Sequence, residues 1–251
     1  MELYLTKMIL NPHSRRVQFE IGNPQQLHKT VCGAFPGIEN QAHLPHHERI
    51  TPRNKFDVLH RLDVDYRSGR AVLLVQSTVK PEWDNLRDNF LAEDVEESLA
   101  VKSIGESYAQ IETGMNLLFR LRANPTKRIG KSDAEAKPKF RESEKGKIRR
   151  RVELRTDAEK IAWLKRKGED AGFRLADVKV KEVENAVAAA QGKINFSKSR
   201  NSPELTFGAV VYEGVLQVTD ANKFREAMQS GIGTGKAYGF GLMSVAPYRE
   251  N

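Results

Sequence analysis

Between residues 231 and 241 the chain reads Gly-Ile-Gly-Thr-Gly-Lys-Ala-Tyr-Gly-Phe-Gly, and five glycines in this short stretch restrict the fold more than any other segment. Glycine enters the left-handed backbone region freely, so such a run can reverse the chain tightly and bring backbone amides close to a phosphate. A helix-like stretch, residues 221–229, precedes the run and an apolar stretch, residues 242–245, follows it. That order is helix, loop, strand, whereas both common nucleotide motifs run from strand to helix. The P-loop spacing fails as well, since Ala237 stands after Lys236 where a Ser or Thr is needed. Gly-x-Gly-x-x-Gly is not met either: Lys236 or Tyr238 falls where the third glycine belongs. Two readings remain, a turn needed only for chain reversal and a loop that meets a phosphate backbone. We expect the second, with Gly231, Gly233, Gly235 and Lys236 as contacts.

The elements leading to this run repeat in outline. Residues 3–10 have β character through Tyr4, Leu5 and Ile9 and stop at Asn11-Pro12. Asn23-Pro24 reads as an N-cap with proline in the first turn, and Leu27, Val31, Ala34 and Phe35 then recur on one helical face until Phe35-Pro36-Gly37 ends it. Residues 56–64 and 71–78 predict strands joined at Arg67-Ser68-Gly69. Pro81-Glu82-Trp83 opens an expected helix, an irregular acidic segment follows, and residues 114–121 predict a further strand. The order βαββαβ is that of a ferredoxin-like domain.

The second half begins with a basic stretch, residues 131–151, read as a mobile loop. Thr156 with Glu159 forms a capping box for a helix ending at Lys165-Arg166-Lys167-Gly168. Residues 178–183 predict a strand, and residues 192–203 a loop carrying Lys193, Lys198 and Arg200. Residues 205–212 and 215–219 predict a hairpin about Glu213-Gly214, and Asp220 caps the helix before the glycine run. The expected class is α+β, two tandem ferredoxin-like (RRM-like) βαββαβ domains divided as 1–115 and 116–251. Such a pair points toward RNA at the level of fold alone.

Charge distribution narrows the partner. Residues 116–200 hold 24 of the 41 basic residues and 12 of the 33 acidic ones, a net charge of +12, which leaves −4 for the rest. Concentration of positive charge in one region is the footprint of a nucleic-acid site. A single cysteine excludes an internal disulfide framework, and no apolar stretch approaches the ~18 residues of a membrane span, so we expect a cytoplasmic protein without membrane contact. Histidines occur at 13, 28, 43, 46, 47 and 60. His43, His46 and His47 lack accompanying ligands at metal spacing and read as a polar loop, so no metal or cofactor is expected.

His28 is the candidate catalytic residue. It falls in the second turn of its helix, where the dipole disfavours imidazolium and leaves a ring able to accept a proton. Gln25 lies at i−3, Cys32 at i+4 and Lys29 adjacent.

Several segments in order carry a family resemblance: Leu3-Tyr4-Leu5-Thr6-Lys7, Ser14-Arg15, Leu27-His28 with Phe35-Pro36, Phe119-Arg120-Leu121-Arg122-Ala123-Asn124-Pro125 with Lys127, Ala158-Glu159-Lys160-Ile161-Ala162-Trp163-Leu164, Tyr212-Glu213-Gly214, and the glycine run through Leu242-Met243-Ser244-Val245-Ala246-Pro247. Over nearly its whole length the chain resembles the CasE family, the CRISPR RNA endoribonuclease of the type I-E Cascade complex. The resemblance implies a metal-independent ribonuclease that binds the CRISPR repeat hairpin, cuts at its base and stays bound to the product alongside other Cascade subunits. It implies attack by the 2′-hydroxyl, leaving a 2′,3′-cyclic phosphate and a 5′-hydroxyl, with the family's histidine at His28. The family's tyrosine three residues earlier is replaced by Gln25, which cannot act as a phenolic acid. Lys29, Lys236 and Tyr238 are candidates for the second group. Arg15, Arg122, Lys127 and Arg128, with Lys193, Lys198 and Arg200, are expected to contact RNA. The competing reading is a non-catalytic subunit that holds an RNA hairpin. No aromatic motif for stacking single-stranded bases is evident on the strands, which favours recognition through phosphates and A-form shape.

Overall fold

Strand β1, Tyr4–Leu10, buries Met8, Ile9 and Leu10 and lies at the centre of a four-stranded antiparallel sheet. The structure, a computed structural model, describes residues 2–37, 50–65, 67–128, 151–177, 193–196 and 205–249. After β1 the chain crosses the sheet in two helices, α1 (Arg15–Gly22) and α2 (Pro24–Cys32). Asn23 separates them: its amide donates to the Glu20 carbonyl, closing α1, while its side chain accepts from the Gln26 amide, capping α2. Pro24 lacks an amide to continue α1 and has the φ that starts a new helix. The short helix α3 (Pro52–Lys55) leads into β2 (Leu59–Asp65) and β3 (Arg70–Ser77), and β4 (Leu99–Ser103) completes the order β2-β3-β1-β4.

Two expectations change in this half. No helix follows Pro81: residues 78–98 cross back without regular structure, anchored by buried Trp83 and Phe90. The last strand is Leu99–Ser103, in the segment expected to be irregular, where its edge pairing with β1 supplied the bonds that local propensity did not. The strand read at 114–121 is β5 (Asn116–Ala123), which opens the second sheet after the short helix α4 (Gly105–Ala109).

The second unit repeats the topology. A small ladder of β6 (Thr126–Arg128) and β7 (Arg151–Glu153) precedes α5 (Asp157–Asp170), whose capping box is formed as the sequence indicates. This helix runs past Gly168, whose missing Cβ leaves room for the Phe173 ring and carbonyl. The next strand is β8 (Phe173–Asp177), earlier than the one read at 178–183, which lies outside the described residues. Strand β9 (Lys193–Phe196) pairs with β10 (Leu205–Gly208) as a separate two-stranded sheet, so Lys193 opens a strand where a loop was expected. The hairpin at Glu213-Gly214 does not exist. Those residues lie inside the continuous strand β11 (Val210–Val218), opposite Arg120 and Phe119 of β5, because long-range pairing overrides a local turn signal. Helix α6 (Ala221–Ser230), capped by the Asp220 carboxylate, leads to the glycine run, a 3-10 turn at Lys236–Tyr238 and β12 (Met243–Pro247). The order β12-β5-β11-β8 matches the first sheet element for element. Among the described residues no helix is long and apolar enough to cross a membrane.

Two apolar clusters form the cores, one around Met8, Leu10, Val31, Leu62 and Trp83, the other around Leu121, Trp163, Tyr212 and Phe224. The contact between the units combines the apolar Leu59, which packs at Gly231, with several polar bonds. Alternation along β2 sends Leu62 to its own core and leaves Arg61 on the opposite face, buried, with its guanidinium donating to the carbonyls of Arg120 and Leu242 and bonded to Asp63. Gln76 of β3 donates to the carbonyl of Met228, and Gln229 donates to the Asp57 carboxylate. These bonds hold the end of α6, and hence the glycine run, against the first sheet.

Candidate active site

His28 sits on α2 with its ring stacked on that of His60 from β2, the centroids 5.7 Å apart and the planes inclined by 21°. Cys32, one turn further along α2, brings its Sγ to 3.6 Å from His28 Nε2. Burial, reinforced by the positive charge of Arg53, holds the His28 imidazole down at about 4. The ring is therefore neutral at physiological pH and able to take a proton. Burial also pushes the Cys32 thiol up to about 11, so it remains protonated beside the histidine.

The glycine run meets the first unit at its 3-10 turn: Lys236–Tyr238 packs against both α2, which carries His28, and β2. Its glycines are needed for reasons nearer than a ligand. Gly231, Gly233 and Gly235 all have positive φ, and a Cβ on them would meet the Leu59 side chain at 2.8 Å, the Trp163 ring at 3.0 Å and the Phe240 ring at 2.9 Å. The space opened by the absent side chains is thus filled by protein, so packing alone requires glycine at these three positions. What the run does offer is amides. Among the described residues, those of Gly233, Thr234, Gly235 and Lys236 donate to no backbone carbonyl. Lys236 curls back to donate from Nζ to the Ser230 carbonyl, and burial lowers its pKa, with Arg53 adding to the effect and Asp57 opposing it.

The remaining expected residues distribute around this centre. Gln25 lies half-buried one turn before His28. Lys29 turns away from the glycine run and lines a cavity of about 230 Å³ with Arg16, Glu20 and Trp83. Arg122 of β5 lies over the Phe240 ring at 5.3 Å and donates to the Leu62 carbonyl at 3.2 Å, so it braces the far end of the run. Arg15 is exposed at the start of α1, and Lys127 and Arg128 are exposed on β6. Lys198, Arg200, His43, His46, His47 and most of the basic stretch at 131–151 lie outside the described residues. Among those described, no cluster of three or more His, Cys, Asp or Glu could hold a metal ion.

Sequence reasoning passed over two residues of this centre, Arg53 and His60. His60 carried a usable signal, a polar residue at a core-facing position of an alternating strand. Arg53 carried none, because its approach to His28 is set by the packing of α3.

The model for a family described as CRISPR associated protein matches residues 3–247. The chain belongs to the CasE family of CRISPR-associated proteins. It is 30% identical over 249 residues to the CRISPR-associated endoribonuclease Cse3 of Thermus thermophilus, covering 98% of this chain and 100% of that one. The Cascade subunit CasE of Escherichia coli is 37% identical over 139 residues, 55% of this chain and 61% of its own. Among solved structures, Thermus thermophilus Cse3 bound to an RNA representing a pre-cleavage complex superimposes with a TM-score of 0.70 at 29% identity, covering 98% of this chain and 100% of that one. Cas6e of Escherichia coli superimposes with a TM-score of 0.63 at 28% identity over 98% of this chain and 100% of its own. CasE proteins of this fold have two ferredoxin-like domains, and the two matched sheets of this chain follow that plan.

Proposed function

We propose that this CasE protein is the cytoplasmic endoribonuclease that binds the hairpin of the CRISPR repeat, cuts the precursor at its base without a metal ion, and stays on the product within Cascade. The observation that carries the reading is a neutral histidine on α2 of one unit, packed beside a turn of the other unit that follows amides donating to no backbone carbonyl among the described residues. Residues 1–115 supply the general base and residues 116–251 most of the grip on RNA. His28 accepts the proton of the 2′-hydroxyl as its oxygen attacks the adjacent phosphorus, and the bond to the 5′-oxygen breaks. A 2′,3′-cyclic phosphate and a 5′-hydroxyl result. The incoming phosphodiester is an anion, so its approach raises the proton affinity of His28 from its low resting value and offsets the charge of Arg53. Charge on the phosphoryl oxygens is met by the amides of 233–236 and by Lys236, which must leave Ser230 to reach them. Lys236 or Tyr238, on the turn facing α2, is better placed than Lys29 to serve the leaving oxygen; Gln25 can hold the scissile nucleotide by hydrogen bonds. Arg15, Arg122, Lys127, Arg128, Lys193, Lys198 and Arg200 contribute phosphate contacts, and Gly231, Gly233 and Gly235 shape the run that presents the amides.

The test is incubation with a repeat hairpin in EDTA, with and without a 2′-deoxy nucleotide at the cut. Cleavage in EDTA that is abolished by the 2′-deoxy substitution, with a cyclic-phosphate terminus, is expected. Metal-dependent cutting would overturn the chemistry, and binding without any cutting would leave a hairpin-holding subunit.

A further inference from the structure

His60 has no role in the chemistry above, yet it occupies an unusual place. It is 1% exposed, and among the described residues neither ring nitrogen has a hydrogen-bond partner. An imidazole buried without a partner forfeits the hydration of both nitrogens, and a leucine or phenylalanine would fill the same volume without that loss. Strand alternation points His60 toward α2 while its neighbour Leu59 faces the other unit. The two side chains reach the glycine run at both ends: Leu59 lies where a Cβ on Gly231 would stand, and His60 Nε2 lies 3.5 Å from the corresponding point on Gly239. On its other side the His60 ring stacks on His28. One flat side chain therefore lies beside both the candidate base and the end of the turn.

We infer that His60 is a positioning residue, which fixes the plane of the His28 ring against the 3-10 turn and keeps water from beneath it. The inference rests on His28 as the reacting group. A flat partner suits this task because stacking constrains the tilt of a ring, which an aliphatic side chain does not. The charged and titratable groups around the pair are Arg53 from α3, Cys32 from α2, Arg122 from β5, and Lys236 and Tyr238 on the turn packed against α2. Both cations named beside the rings, Arg53 and Arg122, oppose protonation, as burial does. His60 is held at about 3, so it stays neutral and cannot itself exchange protons during turnover.

The experiment is an NMR titration of the His28 ring in the free protein, paired with single-turnover cleavage across pH. His60→Ala admits water beneath His28, so its midpoint should rise from about 4 by about one unit or more toward the solvated value, and the acid limb of cleavage should move with it. His60→Phe keeps the flat floor and should leave the midpoint in place while retaining cleavage within about tenfold. Should His60→Ala fail to fold, His60→Val, which suits a strand, carries the same expectation. A His28 midpoint unmoved in a folded Ala or Val variant would reduce His60 to core filling, even if cleavage fell. That outcome is distinct from failure of His28 as the base, which would appear as cleavage by His28→Ala with the titration results unaltered.

Discussion

In the first unit the crossover after β1 is cut in two at Asn23-Pro24, whereas in the second the matching crossover is the uninterrupted fourteen-residue helix Asp157–Asp170. The later crossovers differ the other way: residues 78–98 have no helix, while Ala221–Ser230 is a capped helix running into the glycine run. Each difference bears on the candidate site. Restarting a helix at Pro24 puts His28 in a second turn, near an N-terminus, with its ring on β2. A rigid α6 delivers the glycine run to that same strand. One topology thus carries the candidate base in its first copy and, in its second, a shaped backbone with Lys236 and Tyr238 on its turn.

The largest expected effect tests this division directly. His28→Ala should slow cleavage by about 10²–10⁴-fold while hairpin affinity stays within a few-fold, because a general base is lost from the unit that does not supply the grip. In the unaltered protein kcat/KM should stay level from pH 8 down to about 5 and then fall. An imidazole resting at about 4 is fully neutral over that range and gains its proton only below it. Near-normal turnover by His28→Ala would place the chemistry elsewhere.

Next in size is the backbone side of the comparison. Gly233→Ala with Gly235→Ala forces two side chains into positive φ and against the Trp163 and Phe240 rings. Strain of ~1–3 kcal/mol at each position should lower the melting temperature by many degrees. A melting curve unchanged by the double variant, with RNA affinity lost, would return these glycines to direct phosphate contact.

Arg61→Met removes the staple between the units and leaves the carbonyls of Arg120 and Leu242 without their donor. A loss of about 2–4 kcal/mol is expected in chemical denaturation. Two separate transitions in place of one would show that the staple carries most of the coupling between units; an unchanged midpoint would show that the other polar bonds suffice.

The smallest effects come from the caps, and they sharpen the contrast most. Asn23→Ala and Thr156→Ala should each cost about 1 kcal/mol in stability. Only Asn23→Ala should also reduce the cleavage rate, since α2 carries the proposed general base and α5 carries none of the proposed reacting groups. Equal kinetic effects from the two caps would mean that the break in the first crossover has no special bearing on the site.

Local signals read correctly wherever the chemistry is local. Asn23-Pro24, the Thr156/Glu159 capping box, Asp220 and the alternation in residues 3–10 act within a few residues and formed as the sequence indicated, as did the α+β class that follows from their order. Reading failed where distant pairing competes with propensity: Leu99–Ser103 became a strand by pairing with β1, Glu213-Gly214 was straightened by β5, and Pro81 opened no helix. His28 was singled out as the candidate base from its place in a helix and from the family motifs. Its surroundings were not, because Arg53, His60 and the turn at Lys236–Tyr238 come from three other segments and meet only when the faces of the two sheets close. The glycines carry both lessons. Their number announced a tight reversal of the chain, but which groups would occupy the space beside each was decided by Leu59, Trp163 and Phe240, side chains that tertiary packing alone brings there.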